Sequence, residues 1–293
     1  MSSMESLEAG LKRLKLRRFR EILESDAERE QLMRFKDPLS LVTYLVDQEV
    51  MARDATQKEL RFRVARFPSG KTLDKFDFGL QPAVNEARVR MLANLDFVRA
   101  AENVIFLGPS GVGKSHLAIS LGHLAVEAGY NVRFTTAQDL VDNLYASLAD
   151  GNFKRELERY AKFDLLIIDE LGFLSLDKTA SNHFFQVINQ AYERQAVIVT
   201  SNRPFQEWSG VFHDSVIGTA ILDRLLHHAH LFNLKGDSYR LRDHVKRDGK
   251  EVAPLAESCL ALPIRNVSER QRRWGKSLAE RGVRTFSWTS RIA

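Results

Sequence analysis

The chain has 293 residues, of which 44% are hydrophobic and 28% are charged, and its formal net charge is +5. This length and composition allow one large core and a smaller accessory domain. The single cysteine, Cys259, excludes an internal disulfide, and no apolar run approaches the roughly 20 residues that a membrane helix needs. The first thirty residues also lack the apolar centre of a secretory signal, so we expect a cytoplasmic protein with no membrane partner.

From Leu255 onward there are eight Lys and Arg residues and three acids, and this excess of five equals the net charge of the whole chain. The preceding sequence is neutral overall, so bulk charge does not predict nucleic-acid binding. The densest local cluster is LKRLKLRRFR at 11–20, which has six basic residues and no acid. We expect this cluster to contact DNA phosphates, with a solvated basic helix face as the alternative. Its candidate residues are Lys12, Arg13, Lys15, Arg17, Arg18 and Arg20.

Residues 1–66 have the pattern of a small all-α domain. A first helical face carries Leu7, Leu11, Leu14 and Ile22. A second helix is predicted to begin with Asp37 as N-cap and Pro38 in the first turn. The residues expected to face inward from it are Leu41, Val42, Leu45, Val46 and Val50. The next segment, FPSGKTLDKFDFGLQP at 67–82, breaks the helical period with proline and glycine and predicts an extended linker.

The remaining sequence divides into residues 83–252, where helical and strand patterns alternate, and a basic tail at 253–293 that we predict to be disordered. The alternation is typical of an α/β domain with a parallel sheet covered by helices. The predicted strands are 103–107, 131–136, 164–169, 196–201 and 231–234. Residues 137–161 predict two short helices that are separated at Asp150-Gly151.

The stretch GPSGVGKSHLA at 108–118 follows a predicted strand and opens a predicted helix, which is the context of a phosphate loop. Glycines let backbone N–H groups turn toward phosphate oxygens, and the helix N-terminus adds partial positive charge. Lys114 is expected to reach the β and γ phosphates, and Ser115 to hold Mg²⁺. The alternative is a glycine-rich turn with no ligand. The candidate nucleotide-binding residues of the loop are Gly108, Pro109, Ser110, Gly111, Val112, Gly113, Lys114 and Ser115.

Polar residues follow two other predicted strands. In LLIIDE, Asp169 is placed to hold Mg²⁺ and Glu170 to deprotonate an attacking water. In IVTSNRP, Asn202 is placed to hydrogen-bond that water or the γ-phosphate. The alternative for the two acids is that they only cap the end of a strand. The alternative for Asn202 is an ordinary turn, which Pro204 explains. The paired acids and the absence of a recognisable lid argue for hydrolysis over a small-molecule kinase.

Five stretches of the sequence together resemble one family. They are FPSGKTLDKFDF, NVIFLGPSGVGKSHLA, FDLLIIDELGFL, VIVTSNRPFQEW and AILDRLLHHAHLFNLKGDSYRLRD. Over residues 7–250 the chain resembles an AAA+ ATPase, specifically the IstB-type helper ATPase of bacterial insertion sequences. The resemblance implies a P-loop AAA+ core with a five-stranded parallel sheet behind a small all-α domain. It also implies that the two helices at 137–161 match an insertion of the initiator and helicase-loader branch.

The same resemblance implies further roles. Arg224 in ILDRLL matches the arginine finger, which reaches the γ-phosphate of a neighbouring protomer, with a surface ion pair such as one to Asp223 as the alternative. Arg240 in DSYRLRD is a weaker candidate for a second phosphate sensor. One departure is Ala191, where the family pattern has arginine, and this puts any contact of that side chain in doubt.

We therefore expect an ATPase, with ATP and Mg²⁺ as cofactors, that oligomerises on double-stranded target DNA and delivers it to a cognate transposase. Hydrolysis is expected to take the assembly apart. The alternative is a replicative helicase loader whose ATPase acts as a switch on single-stranded DNA.

Three aromatic and histidine groups have ordinary structural explanations. His227, His228 and His230 look like metal ligands, but adjacent helical residues point apart and no carboxylate partner is obvious. Trp208 packs either its loop or a partner. A run at helical spacing is expected in the core, namely Phe184, Phe185, Val187 and Ile188.

Overall fold

Over residues 3–173, 175–236 and 238–239, the computed structural model describes eleven α-helices and five β-strands. The helices before the first strand are α1 (Ser3–Arg13), α2 (Arg17–Glu24), α3 (Asp26–Leu32), α4 (Pro38–Ala65), α5 (Glu86–Leu92) and α6 (Asp96–Arg99). The later helices are α7 (Lys114–Glu127), α8 (Ala137–Ala149), α9 (Phe153–Tyr160), α10 (Lys178–Ala191) and α11 (Ser215–His227). The strands are β1 (Asn103–Leu107), β2 (Val132–Thr136), β3 (Leu165–Leu171), β4 (Ala196–Ser201) and β5 (Ala229–Asn233).

The strands form one parallel sheet in the order β2-β3-β4-β1-β5. In register, Ile105 of β1 pairs with Val199 of β4 on one side and with Leu231 of β5 on the other. Because all strands run the same way, the carboxyl ends of β1, β3 and β4 meet at one edge. The predicted α/β fold class, a five-stranded parallel sheet with flanking helices behind an all-α N-terminal segment, is confirmed. The predicted pair of helices between β2 and β3 is also present, as α8 and α9.

Apolar side chains fill both faces of the sheet. Phe106 and Ile167 point to the face covered by α7, whereas Ile105 and Ile168 point to the face covered by α8 and α10. This arrangement explains why the strands read as continuous apolar runs. Of the predicted core run on α10, Phe184, Val187 and Ile188 are buried and Phe185 is partly buried.

The long helix α4 connects the N-terminal helices to the sheet. Its predicted start is confirmed, since the Asp37 side chain accepts a hydrogen bond from the Ser40 N–H. Its last turn packs on β2, where Arg133 donates to the Val64 carbonyl at 3.1 Å. No helix within the described residues is long and apolar enough to cross a membrane.

Two predicted apolar faces in the N-terminal segment are wrong in part. On α4, Val42, Val46 and Val50 are exposed, because α2 has only eight residues and covers one side of a helix of 28. On the first face, Leu11 and Ile22 are buried, but the side chains of two other residues are exposed, Leu7 and Leu14. The helical period does not continue through this face because Lys15 takes a left-handed conformation, with φ of 57°, between α1 and α2.

The buried face of α4 instead presents a carboxylate to the start of α2. Glu49 is 5% exposed, and it accepts hydrogen bonds from the N–H groups of Arg18 at 2.8 Å and Phe19 at 3.3 Å. The Arg53 guanidinium also donates to it, at 2.8 Å. Burial acts to raise the pKa of Glu49, but the hydrogen bonds from Arg53 and from these two N–H groups outweigh it and leave the pKa below its usual value. Glu49 thus caps a helix that belongs to a different part of the chain.

Residues 67–82 pack against the core and are not extended as expected. They form two 3-10 turns, Leu73–Lys75 and Phe78–Leu80. The Phe76 ring is buried between them, and the Phe67 ring stacks on His123 with centroids 4.5 Å apart. The predicted domain boundaries stay a prediction, and the predicted tail lies outside the described residues.

Replacing Glu49 by Gln keeps the side-chain shape but removes the charge that α2 and Arg53 bind. We expect the free energy of unfolding near pH 7 to fall by about 1.5 to 3 kcal/mol, the usual contribution of hydrogen bonds to a charged group. Because folding lowers the pKa of Glu49, its contribution is present above the unfolded-state pKa and is lost as the pH falls through the folded-state pKa. Urea denaturation at neutral and acidic pH measures both effects.

The matched control is Glu59→Gln on the same helix, where an exposed ion pair with Arg63 spans four residues. An exposed pair of this kind is worth only about 0.3 to 0.5 kcal/mol. If the two variants lose equal stability, Glu49 does not act as the cap described above.

Candidate nucleotide site

The loop at 108–113 connects β1 to α7 and depends on glycine for close approaches. At Gly108, where φ is 141°, an added Cβ would lie 2.2 Å from the Leu234 carbonyl oxygen. At Gly113, where φ is 101°, it would lie 2.7 Å from the Phe76 ring. Side chains at these positions are excluded by backbone and by a buried ring. The loop therefore exposes backbone groups to the start of α7, the arrangement that binds phosphate.

The side chain of Lys114 folds back over this loop. It is 8% exposed, and its ammonium donates to the carbonyl oxygens of Gly108 at 2.7 Å and Pro109 at 2.6 Å. These bonds hold a positive charge over the loop at the helix N-terminus. The predicted phosphate-binding residues are thus brought together as expected, and their contact with a nucleotide stays a proposal.

One carboxylate joins the ends of three elements. The Ser115 hydroxyl of α7 donates to Asp169 Oδ1 of β3 at 2.8 Å. The Thr200 hydroxyl of β4 donates to the same oxygen and accepts from the Glu170 N–H at 3.0 Å. Asp169 is 6% exposed, so these bonds form largely out of water. The predicted pair Ser115 and Asp169 lies in direct contact.

Glu170 differs from the buried residues around it because it is exposed and has a φ of 62°. A left-handed conformation is uncommon for a residue other than glycine and costs energy. The pairing of β3 with β4 shifts register here, between Ile168 and Leu171. The irregularity turns the carboxylate out of the strand and into the cavity at the sheet edge.

Asn202 supplies a buried acceptor that lacks a protein partner. Its Oδ1 atom is buried and has no hydrogen bond among the described residues. A Cβ on Gly172, where φ is 113°, would lie 3.1 Å from this oxygen, so the β3 loop approaches it closely. A buried polar atom without a partner is costly, which points to a ligand or water at this position.

These groups surround a cavity of about 310 Å³. Its walls also include side chains that the sequence did not place there. These residues are Lys71, Lys75, Phe76, Asp77, His116, Phe173, Thr200 and Tyr239. Two features of the sequence could have indicated some of these residues, namely the FPSGKTLDKFDF stretch and the polar end of strand β4. Tyr239 joins the stretch to the loop, since its hydroxyl donates to the Asp77 carbonyl at 2.6 Å and its N–H donates to the Gly111 carbonyl at 3.0 Å.

A family model described as IstB-like ATP binding protein matches residues 9–247. The chain belongs to this IstB-like family. It is 44% identical over 207 residues to a protein of insertion sequence IS5376 from Geobacillus stearothermophilus, covering 71% of this chain and 82% of the relative. It is 40% identical over 260 residues to a protein of insertion sequence IS21 from Pseudomonas aeruginosa, covering 87% of this chain and 96% of the relative. Both relatives are named as ATP-binding proteins.

A solved structure of a DNA replication initiation factor is similar with a TM-score of 0.49 and 25% identity, covering 62% of this chain and 56% of that chain. In this IstB-like protein, the described residues form the five-stranded parallel sheet and the glycine-rich loop after β1 that the sequence predicts.

Arg224 of this IstB-like protein lies away from the cavity. Its guanidinium lies over the Phe185 ring, 4.9 Å from the centroid, and near the Tyr192 ring at 5.9 Å. It donates to Asn189 Oδ1 at 3.0 Å, and no ion pair with Asp223 or another acid occurs within the described part of the chain. Arg224 therefore does not complete the site of its own protomer. Arg240 lies outside the described residues.

The six predicted DNA-binding residues separate into two groups. Three of them form ion pairs with acids that follow in the sequence, Arg17 with Glu21, Arg18 with Glu28, and Arg20 with Glu24. The other three are exposed and have no ion pair within residues 3–173, 175–236 and 238–239. These are Lys12, Arg13 and Lys15.

The remaining side chains singled out in the sequence have identifiable surroundings. Trp208 is fully buried and donates to the Arg203 carbonyl at 3.1 Å, so it packs its own loop. Ala191 is 2% exposed, so a larger residue has no room there without a shift. His230 lies 2.8 Å from a carboxylate oxygen of Glu102.

Replacing Thr200 by Val tests the carboxylate network, because it removes the hydroxyl and keeps the branched shape. Asp169 then loses a donor and the Glu170 N–H loses its acceptor, so we expect the free energy of unfolding to fall by about 1 to 3 kcal/mol. Urea denaturation followed by circular dichroism measures the change. Thr135→Val is the matched control, since among the described residues that buried hydroxyl bonds only to the adjacent Thr136 carbonyl. Equal losses in the two variants would contradict a special role for the network.

Proposed function

We propose that this protein is a DNA-binding ATPase that assists transposition, assembling on duplex DNA with ATP and disassembling on hydrolysis. The observation that carries the proposal is the joined set Ser115, Asp169, Thr200 and Glu170 at the end of the phosphate loop. A loop that only bound a nucleotide would not need a carboxylate turned into the same cavity beside a buried amide.

The residues fit a bound ATP with its metal ion. The loop N–H groups and Lys114 would bind the phosphates, and the Ser115 hydroxyl with the Asp169 carboxylate would hold Mg²⁺. Both are oxygen ligands of the kind that Mg²⁺ prefers. When bound, the ion supplies positive charge that neutralises the phosphates.

Hydrolysis needs a group to accept a proton and a group to orient the water. Glu170 lines the cavity, is exposed, and is suited to accept the proton of an attacking water. The Asn202 side chain also lines the cavity and is suited to hydrogen-bond that water. Both groups lie at the carboxyl ends of adjacent strands and line the same cavity.

Arg224 is the candidate that makes hydrolysis depend on an oligomer. It lies outside the cavity, where two aromatic rings and Asn189 contact it and no acid among the described residues forms an ion pair with it. Such an arginine is positioned to enter a neighbouring protomer's site, where a finger is worth about 10³ to 10⁵ in rate. ATP then lies between two protomers and stabilises the assembly. Arg240 as a second phosphate sensor stays a prediction.

The case for DNA and a transposase rests on different observations. Lys12, Arg13 and Lys15 offer three exposed cations on and just after α1, within the cluster predicted to contact phosphates. The relatives are named as proteins of insertion sequences, which supports a role in moving such elements. We propose that the assembly holds target duplex for a cognate transposase.

Arg224→Ala is expected to bind ATP but to lose turnover by about 10³-fold or more. Lys114→Ala is expected to lose binding, and Glu170→Gln to bind ATP without hydrolysing it. Mixing Arg224→Ala with Lys114→Ala should restore part of the turnover, because an intact site on one variant then meets an intact arginine on the other. Phosphate release with Mg²⁺-ATP measures all four cases.

Arg88→Ala is the matched control, since that guanidinium also lies over an aromatic ring, 4.8 Å from the Phe232 centroid, and does not line the cavity. Its turnover should equal that of the wild type. A mixture as inactive as its two components would contradict the role of Arg224 between protomers, and normal turnover in Glu170→Gln would contradict the assigned base.

Replacing Lys12, Arg13 and Lys15 together by Ala is expected to weaken duplex binding. The slope of log affinity against log salt should fall by about 0.9 for each phosphate that the variant no longer neutralises. Sedimentation velocity with ATP and Mg²⁺, over a range of salt, measures this on duplex and on single strands of equal length. Arg63→Ala, which removes an exposed, acid-paired cation from α4, should leave the slope unchanged. An unchanged slope in the triple variant, or a preference for single strands, would contradict the proposal.

A further inference from the structure

The end of α11 brings three metal-binding side chains together outside the nucleotide cavity. Glu193, His227 and His228 are exposed, and one ligand atom from each lies within 4.8 Å of the others. The rings of His227 and His228 are 4.1 Å apart at their centroids. This cluster consists of two imidazoles and one carboxylate, which we call the finger-side cluster.

The sequence analysis gave two reasons against such a cluster, and neither holds in the structure. Adjacent residues in a regular helix point apart, but His228 is already outside helical geometry, with φ of −129° and ψ of 83°. No carboxylate was evident, but the turn after α10 brings in Glu193, which is 34 residues before His227 in the chain. The two rings and the carboxylate can therefore approach the same point.

The surroundings leave the carboxylate available to a cation. Within the described residues no Lys or Arg forms an ion pair with Glu193, whose carboxylate lies 3.9 Å from Nδ1 of His227. The Tyr192 hydroxyl lies 2.9 Å from Nδ1 of His227 and restrains the orientation of that ring.

We propose that the finger-side cluster binds a divalent transition metal such as Zn²⁺. Imidazole suits zinc, copper and nickel, whereas Mg²⁺ prefers oxygen ligands alone. Bonds of about 2.0 to 2.1 Å in a tetrahedron place ligand atoms about 3.3 Å apart, so side-chain rotations at an exposed site are enough to close the cluster. Two histidines and a glutamate leave a fourth position for water.

The cluster lies beside Arg224 but does not depend on the proposed ATPase function. The Tyr192 side chain contacts both, since its ring is 5.9 Å from the Arg224 guanidinium and its hydroxyl is hydrogen-bonded to His227. A metal bound here therefore sits on the same surface as Arg224.

The test uses the full chain without a histidine tag, stripped of metal and titrated with Zn²⁺ against a chromophoric chelator. We expect one ion per wild-type chain and a loss of affinity of about tenfold or more in His227→Ala, His228→Ala and Glu193→Gln, since even outer partners of metal ligands are worth about 10- to 100-fold. His213→Ala, which removes an exposed histidine elsewhere, should bind like the wild type. Cys259→Ser should also bind normally.

Two further readings keep the result unambiguous. Co²⁺ should give visible absorption bands with the wild type that are lost in the three variants, and circular dichroism should show that the variants fold. Absence of a stoichiometric ion in the wild type would overturn the proposal. So would equal affinity in the wild type and the three variants, or loss of binding in Cys259→Ser.

Discussion

The carboxylate of Asp169 is the constraint on which the nucleotide site depends. It accepts hydrogen bonds from the hydroxyl groups of Ser115 on α7 and Thr200 on β4, and the Thr200 hydroxyl in turn accepts a hydrogen bond from the Glu170 N–H. The parallel sheet brings these strand ends to one edge, and these bonds fix the side chains of Asp169 and Thr200 relative to the start of α7. Because Asp169 is almost fully buried, each bond forms in a medium where it counts for more than in water.

Contacts continue from this edge to the N-terminal helices through the segment at 67–82. His116, next to Ser115 on α7, approaches the Thr72 carbonyl at 2.8 Å, and burial lowers the pKa of this histidine so that the neutral ring is favoured. Phe76 covers Gly113, while Phe67 stacks on His123 under the end of α4. The segment is thus a wall of the cavity on one side and a support for α4 on the other. Residues 67–82 therefore contact both the phosphate loop and the region under α4.

The sequence predicted the sheet and its functional edge because parallel strands are short, apolar and end where their polar residues begin. That rule placed Lys114, Asp169 and Asn202 together without any knowledge of packing. The corresponding rule for helices failed for α4, where Val42, Val46 and Val50 are exposed. An apolar stripe shows a preference for burial, but it does not show the size of the partner that covers it. The prediction for residues 67–82 was also wrong. Proline and glycine indicate that a helix is broken, but they do not indicate whether the chain is then extended or packs in short turns.

The finger-side cluster beside Arg224 is a second case in which a local sequence rule led to a wrong expectation. Adjacent residues in a helix point in different directions, and for this reason the sequence predicted that His227 and His228 diverge. That rule holds only if both residues are helical. Because α11 ends at His227, the rule does not apply to His228. Glu193 comes from the turn after α10, and α10 packs against α11, a contact that no local pattern contains. Local rules therefore predict the interior of elements well, and their ends, where functional side chains gather, need the assembled fold.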